Sequence, residues 1–120
     1  MLDHISLAVS DFEASKKFYR AALAPLGYTV IMEFGPGAGL GAGQKPDFWI
    51  HQSETGPAMH IAFASPDRET VDAVHVAALE AGAKDNGAPG LREKYHPSYY
   101  GAFVLDPDGN NIEAVCHKPE

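Results

Sequence analysis

The sequence contains little cysteine and no excess of positive charge. Cys116 is the single cysteine among 120 residues, so the chain cannot form an internal disulfide or a zinc site made of thiolates. One small thiol near a strand end is ordinarily a packing residue, and this cysteine usage suits a reducing compartment such as the cytoplasm. The net charge of −7 argues against a nucleic-acid partner, because proteins that bind nucleic acid normally present a basic face.

Long apolar runs are also missing. No stretch approaches the roughly 18 consecutive apolar residues that predict a membrane span. The N-terminus lacks the basic segment and apolar core of a signal peptide, so we expect no membrane association. An apolar content of 45% and a length of 120 residues are typical of one globular domain with its own core, here residues 1–120.

The strongest local pattern lies at residues 99–116, which predict a β-hairpin. Residues 99–105 are rich in aromatic and β-branched side chains, which favour strands. Residues 106–110 read Asp-Pro-Asp-Gly-Asn, a dense turn sequence, and residues 111–116 form the returning strand. Glu113 stands out in that strand, because a carboxylate between apolar neighbours needs a cation, a hydrogen-bond donor or a metal as its partner.

Two histidines open apolar strands elsewhere in the chain. His4 precedes the apolar run at residues 5–9, and His60 precedes the run at residues 61–64. Two imidazoles and one carboxylate at strand positions form a donor set for a divalent metal. His4, His60 and Glu113 are therefore the predicted metal ligands, and Glu113 is also a candidate catalytic group. The set suits Zn, Ni, Mn or Fe(II) and does not choose among them.

The sequence repeats itself at a shift of 56 residues. Residues 4–23 align with residues 60–79 without a gap and match at eight positions, among them the pairs His4 with His60 and Asp11 with Asp67. The repeat indicates two copies of one supersecondary unit. Each copy predicts the order strand, helix, strand, strand, strand, with module one at about residues 1–55 and module two at about residues 57–120.

Helix starts and glycine-rich segments complete the prediction. Asp11 is the expected cap of the first helix, and Ser65-Pro66 the expected start of the second. Residues 37–42 contain Gly-x-Gly-x-x-Ala, but no helix pattern follows, so short glycine-rich strands are favoured over a dinucleotide site. Residues 83–98 predict at most one short strand and a polar loop.

These motifs together resemble the vicinal oxygen chelate superfamily, the group of glyoxalase I, bleomycin-resistance proteins, fosfomycin-resistance thiol transferases and extradiol dioxygenases. The resemblance rests on residues 3–9 (Asp-His-Ile-Ser-Leu-Ala-Val), on His-Ile-Ala-Phe at 60–63 and on residues 106–113, and it covers essentially the whole chain. It implies an α+β fold in which tandem βαβββ modules form an open, cup-shaped mixed β-sheet. It also implies a homodimer in which His4 of one protomer joins His60 and Glu113 of the other around a divalent metal ion.

The sequence departs from the glyoxalase I pattern at the fourth metal ligand. Alignment of residues 112–113 with residues 48–49 puts Trp49 at that place, and an indole cannot bind a metal. His51 lies two residues further on and is the alternative ligand. Trp49, Tyr100, Phe103 and His96 are the candidate substrate-binding residues, and Tyr100 and His51 are candidate catalytic groups beside Glu113.

Three functions follow from this resemblance. The first is a metal-dependent lyase or isomerase of the glyoxalase type, acting on a small oxygenated substrate that chelates the ion. The second is an oxygenase or thiol transferase that uses the same metal site. The third is a metal-free protein that sequesters a drug-like compound, as bleomycin-resistance proteins do.

Overall fold

The two halves of the chain fold into the same βαβββ unit in the computed structural model, which describes residues 1–119. Module one contains β1 (Ile5–Val9), α1 (Phe12–Ala22), a short 3-10 helix (Ala24–Leu26), β2 (Thr29–Phe34), β3 (Gly37–Gly41) and β4 (Phe48–Gln52). Module two contains β5 (His60–Ala64), α2 (Arg68–Glu80), β6 (Lys84–Leu91), β7 (Tyr100–Leu105) and β8 (Asn111–Cys116). The tandem βαβββ architecture and the α+β class are as the sequence predicts.

Each module forms one four-stranded mixed sheet with the same strand arrangement. The orders are β1-β4-β3-β2 and β5-β8-β7-β6, and in each sheet the first and last strands of the module pair in parallel. Ser6 pairs with Trp49 in module one, and Ala62 pairs with Glu113 in module two. Since Ser6 and Ala62 are equivalent in the sequence repeat, Trp49 occupies in module one the position that Glu113 occupies in module two.

Both helices begin at an aspartate cap. The Asp11 side chain accepts a hydrogen bond from the Ala14 amide at 3.2 Å, as the sequence predicts. In module two the cap is Asp67, whose carboxylate accepts from the Thr70 amide at 2.7 Å, so the expected start at Ser65-Pro66 is two residues too early. The sequence repeat itself pairs Asp11 with Asp67, and it was the better guide to this boundary.

The strand β6 is longer than the sequence predicts. It runs for eight residues along the outer edge of the second sheet, with register irregularities around Gly87. Pro89 and two glycines lie within it, and these residues normally weaken strands. An edge strand tolerates them because one of its sides makes no ladder hydrogen bonds, which is why local composition underestimated β6.

A shared core joins the modules. Phe63 of β5 makes edge-to-face contacts with Tyr28 and Phe48 of module one, at centroid distances of 5.7 and 5.3 Å. Cys116 is buried among apolar side chains between α2 and the second sheet, in the packing role expected for it. None of the helices in residues 1–119 is long and apolar enough to cross a bilayer.

The turn between β7 and β8 also contacts module one. The fully buried Tyr19 of α1 donates its hydroxyl to the Asp106 carboxylate, and burial together with this carboxylate raises the pKa of Tyr19. Asp106 further accepts from the Asn110 amide at 2.8 Å and from the Asn110 side chain at 2.9 Å. The Asp-Pro-Asp-Gly-Asn motif is therefore a structural junction that fastens the final hairpin to the first helix.

Candidate functional site

Each sheet has one face on the helices and one open face. In module two, Ala102 and Ala114 are buried on the helix side, while Glu113 pairs with Phe103 on the other side. Side chains alternate along a strand, so residues with this parity share the open face. On module two these are His60, Ala62, Gly101, Phe103 and Glu113, and on module one they are His4, Ser6, Ala8, Trp49 and His51.

Glu113 is the most unusual side chain on these faces. It is 1% exposed, and its Oε1 lies 2.7 Å from His60 Nε2. Its second oxygen, Oε2, accepts a hydrogen bond from the Tyr99 hydroxyl. A carboxylate removed from water is costly unless such partners satisfy it. Gly101 leaves the room for this arrangement, because a Cβ there would lie 3.2 Å from Glu113 Oε2.

Tyr99 is a site residue that the sequence reasoning missed. Burial, followed by the hydrogen bond to the Glu113 carboxylate, raises the pKa of Tyr99 to about 12. The phenol therefore stays protonated at neutral pH and acts as a donor. The parity of the strand could have identified it, because Tyr99 has the same parity as Phe103, which pairs with Glu113.

Tyr100, predicted as a catalytic and substrate-binding residue, lies on the helix side of its sheet. Its hydroxyl donates to Asp72 of α2 at 2.7 Å, and the Arg68 guanidinium stands 5.0 Å from the centre of its ring. The prediction placed both Tyr100 and Phe103 in the cup, but residues three apart on a strand point to opposite faces. Of the two, Phe103 is on the open face.

His4 directly precedes β1, next to an acidic neighbour. Its Nδ1 lies 2.6 Å from Asp3 Oδ1, and the other Asp3 oxygen accepts from the Lys45 ammonium. The hydrogen bond from Lys45, and then that from His4, lower the pKa of Asp3. A carboxylate on one ring nitrogen is the usual way to orient a metal-binding histidine, since it leaves Nε2 free to accept.

Within one chain, His4 does not join the other two predicted ligands. Residues 1–119 contain no group of three or more His, Cys, Asp or Glu side chains arranged to hold a metal ion. His60 and Glu113 are together on module two, whereas His4 is on module one. The donor types suit a divalent cation, and each chain presents one part of the set on each of its two open faces.

Trp49 and His51 lie on the open face of module one. The Trp49 indole stacks on Phe34 at 6.1 Å and 7° between planes. It also covers Gly39, where a Cβ would lie 2.9 Å from the indole. His51 is exposed two residues further along β4. Module one therefore presents an aromatic surface where module two presents its buried carboxylate.

The remaining candidates line the rim of module two. The Phe103 ring lies 6.2 Å from the His60 ring and 5.4 Å from the Arg92 guanidinium. The predicted substrate residue His96 is exposed in the β6–β7 loop, and its ring contacts that of His117 at 5.7 Å. His117 in turn packs edge-on against Tyr99 at 5.1 Å, so the loop reaches the phenol that contacts Glu113.

Comparison with known proteins identifies the family of the chain and solved structures with the same fold. A family model described as "Glyoxalase/Bleomycin resistance protein/Dioxygenase superfamily" matches residues 1–114. The chain is similar to the structure of a glyoxalase/bleomycin resistance protein from Albidiferax ferrireducens T118, with 29% identity, 99% of each chain covered and a TM-score of 0.84. No curated protein matches the sequence.

Two more distant structures show the same fold. A glyoxalase/bleomycin resistance protein/dioxygenase family enzyme from Burkholderia phytofirmans PsJN is 21% identical, with 97% of this chain and 98% of that chain covered and a TM-score of 0.76. A lactoylglutathione lyase from Agrobacterium tumefaciens is 16% identical, with 97% and 92% covered and a TM-score of 0.72.

Proposed function

Since the chain belongs to the glyoxalase/bleomycin resistance protein/dioxygenase superfamily, we propose that it is a metal-dependent enzyme of the glyoxalase type. Its reaction is a lyase or isomerase step on a small substrate with neighbouring oxygens. The observation that carries the proposal is the 1% exposed Glu113 carboxylate, held 2.7 Å from the His60 imidazole on an otherwise open sheet face. A carboxylate is buried in such a place only with a cation, a hydrogen-bond donor or a metal as its partner.

The complete ligand set requires two copies of the chain. His60 Nε2 and Glu113 Oε1 already face each other on module two, and Asp3 leaves Nε2 of His4 free on module one. In a homodimer, module one of one copy covers module two of the other. His4 of the second copy then joins His60 and Glu113 to give a set of two nitrogens and one carboxylate.

The bound ion would act as a Lewis acid that stabilises negative charge on the substrate oxygens. The chain's own residues supply binding and proton handling. Glu113 is the group that accepts and returns a substrate proton, and the Tyr99 hydroxyl holds its Oε2 in place. Small side chains at Ser6, Ala8, Ala62 and Ala64 leave the space above the sheets free for a ligand.

Trp49, Phe103 and His96 are proposed as walls of this space, and exposed His51 as a second group for proton transfer. Trp49 in the fourth-ligand position distinguishes the chain from glyoxalase I and leaves three protein ligands. With three protein ligands, the ion keeps coordination positions open for the substrate. A closed structural site with four protein ligands leaves none.

A metal-free binding protein is the second candidate function. Its support is that Glu113 already has two protein partners, His60 and Tyr99, within one chain. The stack of the half-buried Trp49 on the exposed Phe34 would then bind an aromatic or cationic compound by its ring faces. Metal content separates the two candidates.

Subunit mixing tests the shared metal site. His4→Ala and His60→Ala homodimers should each lose bound Zn, Ni or Mn, because every site in them lacks one ligand. The isolated heterodimer of the two variants should bind one ion per dimer, since one of its two sites retains all three ligands. His51→Ala is the control and should keep the wild-type content of two ions per dimer.

A heterodimer without bound metal, or a His4→Ala homodimer with full metal content, would contradict the shared site. Unchanged, sub-stoichiometric metal in all variants would favour the binding protein instead. The reaction class is tested with a hemithioacetal of methylglyoxal: a rate that stays at background with Ni, Zn and Mn would exclude the glyoxalase reaction.

A further inference from the structure

The β6–β7 loop holds an arginine over the open face of module two. Arg92 follows the last residue of β6, and its amide donates to the Tyr99 carbonyl at 2.7 Å, which closes the loop. Its carbonyl accepts from the Tyr95 amide at 2.9 Å, so the backbone at Arg92 is held on both sides. The guanidinium turns back over the sheet and lies 5.4 Å from the centre of the Phe103 ring.

Gly87 and Gly90 leave the space that this guanidinium occupies. A Cβ at Gly87 would lie 2.9 Å from the Phe103 ring and 3.2 Å from Arg92 Nη2, and a Cβ at Gly90 would lie 3.1 Å from Arg92 Nη1. Any larger residue at either position would push the arginine away. The irregular part of β6 therefore makes room for one cationic side chain, that of Arg92.

Within residues 1–119, the guanidinium uses one of its five N–H donors. Arg92 Nη2 donates to the Ala88 carbonyl at 2.8 Å. Among residues 1–119, no carboxylate lies within 4.0 Å of it to form an ion pair. The side chain is half-buried against an aromatic ring, where a charge is less well hydrated than in bulk water. A planar fork of N–H groups with no anionic partner is suited to bind a carboxylate.

Arg92 and the candidate site share one surface. The Phe103 ring lies 6.2 Å from the His60 ring and 5.4 Å from the Arg92 guanidinium, so a small molecule over Phe103 contacts both. Glu113 does not confront such an anion directly, because His60 and Tyr99 cover its two oxygens. The Arg92 guanidinium carries one positive charge and therefore matches a group with one negative charge. The ammonium of the nearby Lys94 lies over the Tyr95 ring instead.

We propose that Arg92 binds a carboxylate carried by the substrate, while the rest of the molecule lies on Phe103 toward His60. The substrate class is thus a small monocarboxylic acid with an apolar or aromatic body. This inference deepens the proposed function and uses the same site, but carboxylate binding by Arg92 does not depend on a metal.

The test uses the metal-free protein of 120 residues and a matched pair of probes. 3-Phenylpropanoate and 3-phenylpropanamide have the same shape and differ in charge. Calorimetric titration should give about tenfold tighter binding of the carboxylate to the wild type, the usual scale of a charge-assisted contact. In Arg92→Gln the preference should fall to less than about twofold. The Arg92 Nε resonance should shift with the carboxylate only.

Two further variants control for charge and for folding. Lys94→Gln removes one positive charge from the same loop and should retain the tenfold preference. Gly90→Ala keeps the arginine but fills part of the space that its guanidinium occupies. It should therefore reduce the preference for the carboxylate over the amide. The melting temperature of this variant shows whether it is folded.

Equal affinity of the wild type for the two probes would overturn the proposal, as would an undiminished preference in Arg92→Gln. Loss of the dimer in Arg92→Gln with the preference intact would assign Arg92 to the subunit interface instead. Because no metal is present, failure of this test and failure of the metal-site test are independent.

Discussion

Modules one and two carry different side chains at equivalent positions of nearly the same backbone. His4 and His60 are equivalent in the repeat, and so are Trp49 and Glu113 by strand register. In module one the histidine contacts Asp3 and the indole stacks on an exposed phenylalanine. In module two the histidine contacts the buried carboxylate. The duplicated scaffold therefore supplies equivalent positions, and the side chain at one of them, Trp49 or Glu113, distinguishes the two open faces.

The largest expected effect concerns the junction that only module two supplies. Asp106→Ala leaves the buried Tyr19 hydroxyl without its acceptor and removes the carboxylate that organises the turn. We expect a loss of about 3 kcal/mol in the free energy of unfolding, because a buried polar group is left unsatisfied. Asp108→Ala, which loses the hydrogen bonds from the amide and the hydroxyl of the exposed Ser10, should cost less than about 1 kcal/mol. Equal losses in urea unfolding would contradict this role of the junction.

The next effect separates the two faces of β7. Tyr99→Phe removes the donor to the buried oxygen of Glu113, and we expect the free energy of unfolding to fall by about 1–2 kcal/mol. Tyr100→Phe removes an identical hydroxyl from the exposed Asp72 and should cost less than about 0.5 kcal/mol. A reversed order in urea unfolding would mean that Tyr100 is the more important of the two.

A substitution that makes module one more like module two sharpens the contrast between them. Trp49→Glu places a carboxylate opposite Ser6, at the position equivalent to that of Glu113 opposite Ala62. If the dimer binds a metal as proposed, a fourth ligand should tighten binding about tenfold, or about 1.4 kcal/mol. Trp49→Gln serves as the uncharged control. Identical metal affinity in both variants and the wild type would place Trp49 outside the metal site.

The smallest effect is a pH dependence to which Tyr99 of module two contributes. The pKa of Tyr99 is raised from the ordinary 10.0 to about 12 in the folded protein, chiefly by burial. Between those values the unfolded chain loses the proton first, so this contribution to stability is present below pH 10 and is lost as the pH approaches 12. Stability measured from pH 9 to 12 should fall less steeply in Tyr99→Phe. Parallel curves would show that Tyr99 titrates normally.

Much of the fold could be predicted from the sequence, because the two halves match residue by residue over residues 4–23 and 60–79 and not only in overall composition. The identities that match His4 with His60 and Asp11 with Asp67 align the first strand and the helix of each module. A separate match of the last strands, residues 48–49 with residues 112–113, gives the equivalence of Trp49 and Glu113. The strand β6 was underestimated because glycine and proline oppose strand formation locally, while pairing with β7 and the edge position favour it.

The candidate site was predicted less completely than the fold. The pairing of His60 with Glu113 followed from their residue types and strand positions. Tyr99 was missed in favour of Tyr100, because both are aromatic and only the parity relative to Glu113 separates them. For Arg92 the sequence predicts only a polar loop, since the return of its side chain over Phe103 depends on the space left by Gly87 and Gly90. The position of His4 relative to the other two ligands in a dimer stays a prediction.

The contact between Tyr19 and Asp106 has a consequence for the duplicated halves as folding units. A tandem repeat is expected to melt in two steps when each copy is self-sufficient. Here the first copy buries a phenol whose acceptor belongs to the second, and Phe63 of the second completes the interior of the first. Neither half-chain should therefore fold alone, and the protein should lose its structure in one cooperative transition.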